Sequence, residues 1–354
     1  EFQSAITTVN TALTAAGADS DQLSGLQSGF NSAIDDDVST AVSAGTLTAA
    51  YTNAVTVATG STAGTGTSGS SFNLSTNIDA GSNFTGTANN DTYYASDTTL
   101  TAGDSLDGGA GTDAVILSWA LAGTESVSAF TFANIETLTT SVADADTSAG
   151  HVATMSLASV TSLTTLNVDG STEANANDDT LTITNIPSGV TLGINSTNLN
   201  VNATYVTAAT TGTGNTVALT FNGAASAASN DSNIDVATGF ESATLTTSGS
   251  ASTIGDLDFN GATSITVSGD QNLTIRGGLE DAVVTVNASS MTGALSIVSG
   301  NAAEASSGTT DFTFIGGAGN DVADLTGMDA NDEISFAGGA GNDRVVTVDE
   351  INET

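Results

Sequence analysis

Three segments of the chain read Gly-Gly-x-Gly-x-Asp: Gly108-Gly109-Ala110-Gly111-Thr112-Asp113, Gly316-Gly317-Ala318-Gly319-Asn320-Asp321 and Gly338-Gly339-Ala340-Gly341-Asn342-Asp343. Glycine is 39 of 354 residues and the acids together are another 39, so three matches at four fixed positions lie far beyond chance. The chemistry that needs these residue types is oxygen coordination of a hard divalent cation. Ca²⁺ takes about 6 to 8 oxygen ligands at about 2.3–2.6 Å. Glycines let a loop turn tightly and aim its carbonyls at one point, and the Asp carboxylate supplies charge. The residue two places after each Asp should be apolar, to seat the next strand in a core. Val115 and Val345 satisfy this, and Ala323 does so more weakly. The expected ligand loops are therefore Gly108, Gly109, Gly111 and Asp113; Gly316, Gly317, Gly319 and Asp321; and Gly338, Gly339, Gly341 and Asp343, with Ca²⁺ as the cofactor.

An ion of this kind sits between loops of neighbouring turns, so an isolated loop is half a site. Gly86-Thr87-Ala88-Asn89-Asn90-Asp91-Thr92-Tyr93-Tyr94 supplies a partner in degenerate form, with Asn89 where a glycine is expected. Asn tolerates the left-handed region better than most residues. Gly86 precedes Gly108 by 22 residues, and Gly316 precedes Gly338 by the same interval. The equal offset predicts one calcium-clamped unit used twice. Asp104 lies nine residues before Asp113, Asp107 adjoins the first loop, and Asp332 lies eleven before Asp343. Asp91, Asp104, Asp107 and Asp332 are further candidate ligands; each also reads as a solvated turn residue. Asn177-Asp178-Asp179-Thr180-Leu181 is a weaker candidate that reads more simply as a turn.

These loops need elements to position them. Over residues 1–58, Phe2, Ile6, Val9 and Leu13, then Leu23, Leu26, Phe30 and Ile34, keep the spacing of a helix face. They predict a small helical bundle, with a possible role in anchoring or docking. Residues 59–80 include the Gly/Ser/Thr stretch GSTAGTGTSGSS and read as a linker. Beyond it, short β-branched runs alternate apolar residues with Thr, Ser and Asn, as in Leu163–Val168, Val217–Phe221, Ile265–Val267 and Val283–Val286. Each is a half-buried strand. Similar phrases recur at Ile135-Glu136-Thr137-Leu138-Thr139, Phe240-Glu241-Ser242-Ala243-Thr244-Leu245-Thr246 and Ala262-Thr263-Ser264-Ile265-Thr266. Short strands and recurrence predict a β-solenoid, with a sandwich as the alternative. The expected organisation is a mainly β protein: a helical domain at 1–58, a linker at 59–80, a first calcium pair at 81–125, a solenoid at 126–310 and a second pair at 311–354.

Composition excludes several classes. The chain carries 39 acidic residues against 2 basic ones, Arg276 and Arg344, for a net charge of -37. A nucleic-acid binder needs Lys and Arg to displace counterions, so no nucleic-acid partner is expected. No apolar run is long enough to span a bilayer as a helix. There is no cysteine, which removes disulfides and thiolate chemistry. His151 is the sole histidine, so a two-histidine zinc site cannot form. No Lys is present for a Schiff base, and aromatic residues are 5% of the chain, few for sugar platforms. The chain reads as not an enzyme, with His151 an exposed loop residue and Trp119 a core residue. It begins Glu1-Phe2-Gln3, which reads as a processed start or a fragment.

The three loops, the segment Phe84–Thr92 and the segment Asn287–Leu295 together resemble RTX-type surface-layer proteins of Gram-negative bacteria. The resemblance covers about residues 80–354. It implies a calcium-binding parallel β-roll or β-solenoid, type I secretion, an extracellular place on the bacterial cell surface and self-assembly with copies of the same chain. It also implies that an N-terminal helical domain holds lipopolysaccharide or another surface glycan in some members. The glycine loops are shared with RTX adhesins and secreted enzymes. The expectation is therefore a self-assembling, calcium-dependent layer or filament protein; a module of a large adhesin binding glycans or other cells is the alternative, and the non-catalytic part of a secreted enzyme a third.

Overall fold

The computed structural model describes residues 69–121, 123–144, 150–170, 179–225, 233–259, 261–279, 282–298, 310–328, 333–347 and 352–353. The expected helical domain at 1–58 and Asp332 lie outside the described residues.

The alternation seen in the sequence has a direct structural cause. In a strand, successive side chains point to opposite faces, and here one face is always the inside of a coil. The strand Ala114–Leu121 alternates buried and open positions along its whole length. Stacking such strands turn upon turn gives a 13-stranded sheet, in which every neighbour is parallel, from Ser71–Asn73 through Thr92–Ser96, Ala114–Leu121 and Thr137–Asp144 to Asn352–Glu353. A 6-stranded sheet and a 5-stranded sheet form the other walls, with a 2-stranded sheet of Ser105–Asp107 and Thr131–Ala133. The parallel pairing selects the solenoid over the sandwich. Among the described residues helix is confined to Thr207–Thr210 and a 3-10 turn at Gly81–Phe84.

Register places like residues in columns. Inside the long sheet, Phe72, Tyr93, Val115, Leu138, Leu166, Leu192, Leu219, Leu245 and Val267 stack one per turn. From Tyr93 onward each is essentially fully buried. A buried side chain of this size contributes about 1.5–3 kcal/mol, so the column is the spine of the core. Trp119 is buried beside it and donates its indole N–H to Thr140 Oγ1 at 2.9 Å. On the outer face the neighbouring column reads Asn73, Tyr94, Ile116, Thr139, Asn167, Gly193, Thr220, Thr246 and Ser268. It holds no charged residue in a chain of net charge -37.

Two boundaries differ from expectation. The first strand, Ser71–Asn73, falls inside the span read as linker. The spans read as two calcium pairs and an intervening solenoid are one continuous stack, Ser71–Thr354. Strand pairing with Thr92–Ser96 recruits Ser71–Asn73 despite its glycine-rich surroundings, because Phe72 stacks on Tyr93 with ring centroids 4.6 Å apart.

Candidate metal centre

The first pair of loops lies where the chain enters the long sheet. Residues 86–91 lead into Thr92–Ser96, and residues 108–113 lead into Ala114–Leu121. The 22-residue offset is one turn of the solenoid, because Asp91 and Asp113 lie one above the other. The Asp91 backbone N–H donates to Asp113 Oδ1 at 2.6 Å. The Thr112 N–H donates to Asn90 Oδ1 at 2.9 Å. The Asp113 carboxylate and the Asn90 amide oxygen thus join the two turns at a corner outside the strands. Asp91 also closes its own loop, with Oδ2 accepting the Thr87 N–H at 2.6 Å.

Glycine is required here by crowding. A Cβ on Gly86 would collide with the Gly108 carbonyl and lie 2.6 Å from Asp91 Oδ2. A Cβ on Gly108 would collide with the Asn134 carbonyl and lie 2.5 Å from Asp113 Oδ2. A carbonyl of the next turn and a carboxylate of the same loop therefore flank the same glycine in both turns. Gly109 and Gly111 have φ of 88° and 137°, the region that favours glycine.

The second pair repeats this local arrangement at the opposite edge of the long sheet. Residues 316–321 and 338–343 follow the long-sheet strands Thr310–Ile315 and Glu333–Ala337 and lead into Val322–Asp324 and Arg344–Val346 of the 5-stranded sheet. The Asp321 N–H donates to Asp343 Oδ1 at 2.9 Å, Gly317 N–H to Asp321 Oδ2 at 2.8 Å, and Leu295 N–H to Asp321 Oδ1 at 2.7 Å. A Cβ on Gly316 would meet the Gly338 carbonyl and Asp321 Oδ2. Gly339 and Gly341 have φ of 91° and 125°, matching Gly109 and Gly111. The unit is used twice, once entering and once leaving the same sheet. Val115 and Ala323 are buried, and Val345 packs against the core, as the spacing requires.

The remaining candidates part company. Asp107 joins the first corner: its Oδ1 accepts the Gly109 N–H at 3.1 Å and the Asn134 Nδ2 at 2.7 Å. Asp104 does not face Asp113 across a nonapeptide. It stacks on Asp79, whose N–H donates to Asp104 Oδ1 at 2.8 Å, in the turns that leave the long sheet. A turn here takes 22 residues rather than two nonapeptides, so a nine-residue step leads to another corner. Asp79 carries no glycine signature and was not legible as a member of this set. Asp179 is buried and uses the same device, accepting the His151 N–H at 2.6 Å. This corrects the expectation for His151. It immediately precedes the strand Val152–Ser156, in the position that carboxylates take at the other corners. It is buried, with Nδ1 3.8 Å from Asp179 Oδ1.

The charged form of Asp113 is disfavoured at the first corner. It is 1% exposed, and its Oδ2 accepts no hydrogen bond. Burial raises its pKa, and Asp91, Glu136 and Asp107 raise it further, against the lowering effect of the bond from Asp91. Burial, then Asp91, Asp113 and Asp107, also pushes the Tyr93 phenol upward. The two arginines of the chain lie far along it, at Arg276 and Arg344. Among the described residues no three acidic or histidine side chains converge enough to hold an ion alone. A cation at these corners would take one or two carboxylates and complete its shell with backbone carbonyls, as tight glycine loops permit.

The fold and its corners define a parallel β-solenoid whose turns are joined by stacked carboxylates. The sequence matches no protein-family model, no curated protein and no solved structure. No helix among the described residues is long and apolar enough to cross a membrane.

Proposed function

We propose that this chain is an extracellular, calcium-stabilised structural protein that self-assembles into a layer or filament on a bacterial surface, in the manner of the RTX-type surface-layer proteins it resembles. The observation that carries the reading is the buried Asp113 carboxylate, with one oxygen unbonded and three acidic neighbours. A buried carboxylate needs compensating charge, and a chain with two basic residues supplies little of its own. Ca²⁺ suits the loops better than Mg²⁺, which resists dedicated all-protein cages. Secretion by the type I route belongs to the same reading.

Self-association is supported by the outer face of the long sheet. Its uncharged column of Asn, Tyr, Ile, Thr and Ser offers a surface where two strongly acidic chains approach with least repulsion. Negative-stain imaging and solution scattering of the full chain during calcium titration test the proposal. Ordered assemblies should form with calcium and disperse with chelator. A chain that folds with calcium yet stays monomeric at high concentration would overturn self-assembly and favour the adhesin reading.

A further inference from the structure

The outer face of the long sheet differs from the outer faces of the other walls. On the 6-stranded sheet Asp235 and Asp258 stand opposite each other on adjacent turns and point outward. On the 5-stranded sheet Arg276, Asp324 and Arg344 point outward. The long sheet keeps charge away from its middle. Beside the uncharged column through Tyr94 and Ser268 runs a second, two residues nearer the start of each strand. It passes through Ala114, Thr137, Thr165, Thr191 and Thr266 to Ile315 and is also uncharged. Asp169, which also points outward, stands at the end of its strand.

This face is suited to losing its water. Tyr94 is 42% exposed and Ile116 38%, and the two are paired directly on adjacent turns. Tyr is among the residues that carry most of the energy of protein contacts. The polar side chains are short and bond to the next turn. Thr216 Oγ1 and Ser242 Oγ lie 2.7 Å apart, and Asn195 Nδ2 donates to Asn167 Oδ1 at 3.4 Å. Polar groups already paired within the chain cost less to bury.

Period, charge and area together specify the occupant. The rows repeat at the strand spacing, about 4.7–4.9 Å, and another stack of the same kind matches that repeat row for row. Short side chains let two such faces interdigitate, as packed sheets do at about 10 Å. A chain of net charge -37 repels its copy least across a face without charge, whereas a basic partner would be drawn to the acidic walls. The ten strands from Thr92–Ser96 to Thr310–Ile315 present a strip of roughly 48 Å by 17 Å, about 800 Å², which is what one partner contributes to a stable contact.

We infer that the chain pairs face to face with a second copy of itself through the outer side of the long sheet, with Tyr94 and Ile116 as anchors. The inference rests on the self-assembly reading and names the surface that performs it. The contact is isologous: the same face of each copy meets the other, and the pair closes at two. Contacts outside this face extend pairs into a layer or filament.

Sedimentation of the full chain in millimolar calcium, over a dilution series, tests this. Thr139→Glu and Thr220→Glu each place carboxylates in a face that meets its own copy. Each should weaken pairing about tenfold or more while keeping the circular dichroism of wild type. Thr154→Glu, outward on the 6-stranded sheet, should leave pairing unchanged. The chain has no cysteine, so single thiols give a second readout that adds no charge and serves if the Glu variants do not fold. The thiol of Ile116→Cys should react with maleimide several-fold more slowly in concentrated than in dilute protein, and that of Thr154→Cys at one rate. A wild type that associates, with the Glu variants associating as tightly or the Ile116→Cys thiol equally reactive throughout, would overturn this inference and leave self-assembly standing. Equal loss of pairing in Thr154→Glu would also overturn it, since added charge anywhere would then suffice. A wild-type chain that stays monomeric would overturn both.

Discussion

The backbone N–H of Asp91 donates to Oδ1 of Asp113 at 2.6 Å, from one turn of the solenoid to the next. The same relation joins Asp321 to Asp343 at 2.9 Å and Asp79 to Asp104 at 2.8 Å. At a corner the chain leaves strand geometry, and the amide that would have paired with the next strand needs another acceptor. A carboxylate one turn away supplies it. The solution brings negative charges into a column, so the corners that hold the turns together also push them apart. On the calcium reading, a bound cation would resolve that conflict.

Asp113→Asn should separate the two effects. The raised pKa of Asp113 means that the folded state holds its proton more tightly than the unfolded chain. Its contribution is therefore favourable below the unfolded value, near 3.8, and is lost as pH rises through the folded value. In chelator at neutral pH, Asn at this position should stabilise the chain by about 1 kcal/mol, because its Oδ1 still accepts the Asp91 N–H and the charge is gone. In calcium the order should reverse. Denaturant melts of both chains under both conditions check this; wild type more stable in both would contradict it.

Gly108→Ala and Gly170→Ala should differ. A Cβ at Gly108 collides with a backbone carbonyl, whereas Gly170 has φ of 63° and nothing within 4 Å of its Cβ position. The first should cost about 3 kcal/mol through overpacking and reduce calcium binding. The second should cost about 1 kcal/mol, from strain alone, and leave binding intact. Chemical denaturation with calcium counting distinguishes them.

Trp119 and Thr140 should behave as a coupled pair. Their hydrogen bond is buried and joins adjacent turns. Thr140→Val strands the indole N–H at a cost of about 1–3 kcal/mol. In the background of Trp119→Phe the same change should cost much less, since no donor remains to be stranded. A double-mutant cycle on melting free energies measures the difference; additive costs would show that the bond contributes nothing.

The solenoid was legible because its turn length is written twice, in Gly86 to Gly108 and in Gly316 to Gly338, and because the phrases at Ile135, Phe240 and Ala262 are repeated entries into one sheet. In two of them Glu136 and Glu241 accept an amide of the preceding turn, from Asp113 and from Asn215. What could not be read was which corner each loop occupies. Identical Gly-Gly-x-Gly-x-Asp segments enter the long sheet at Asp113 and leave it at Asp321, a distinction that strand order alone decides. Asp79 and Glu136 were illegible as ladder members because their turns carry no glycine signature. His151 was misread for a related reason: its partner Asp179 lies 28 residues away, and only stacking brings them together.

Thermal unfolding of the full chain in chelator, in millimolar Mg²⁺ and in millimolar Ca²⁺ tests the central claim most directly. If cations resolve the repulsion at the stacked carboxylates, Ca²⁺ should raise the midpoint strongly, by mass action on the folded state, and Mg²⁺ should raise it far less. A melting curve indifferent to chelator and to either ion would show that the corners hold by hydrogen bonds alone, and would contradict the account.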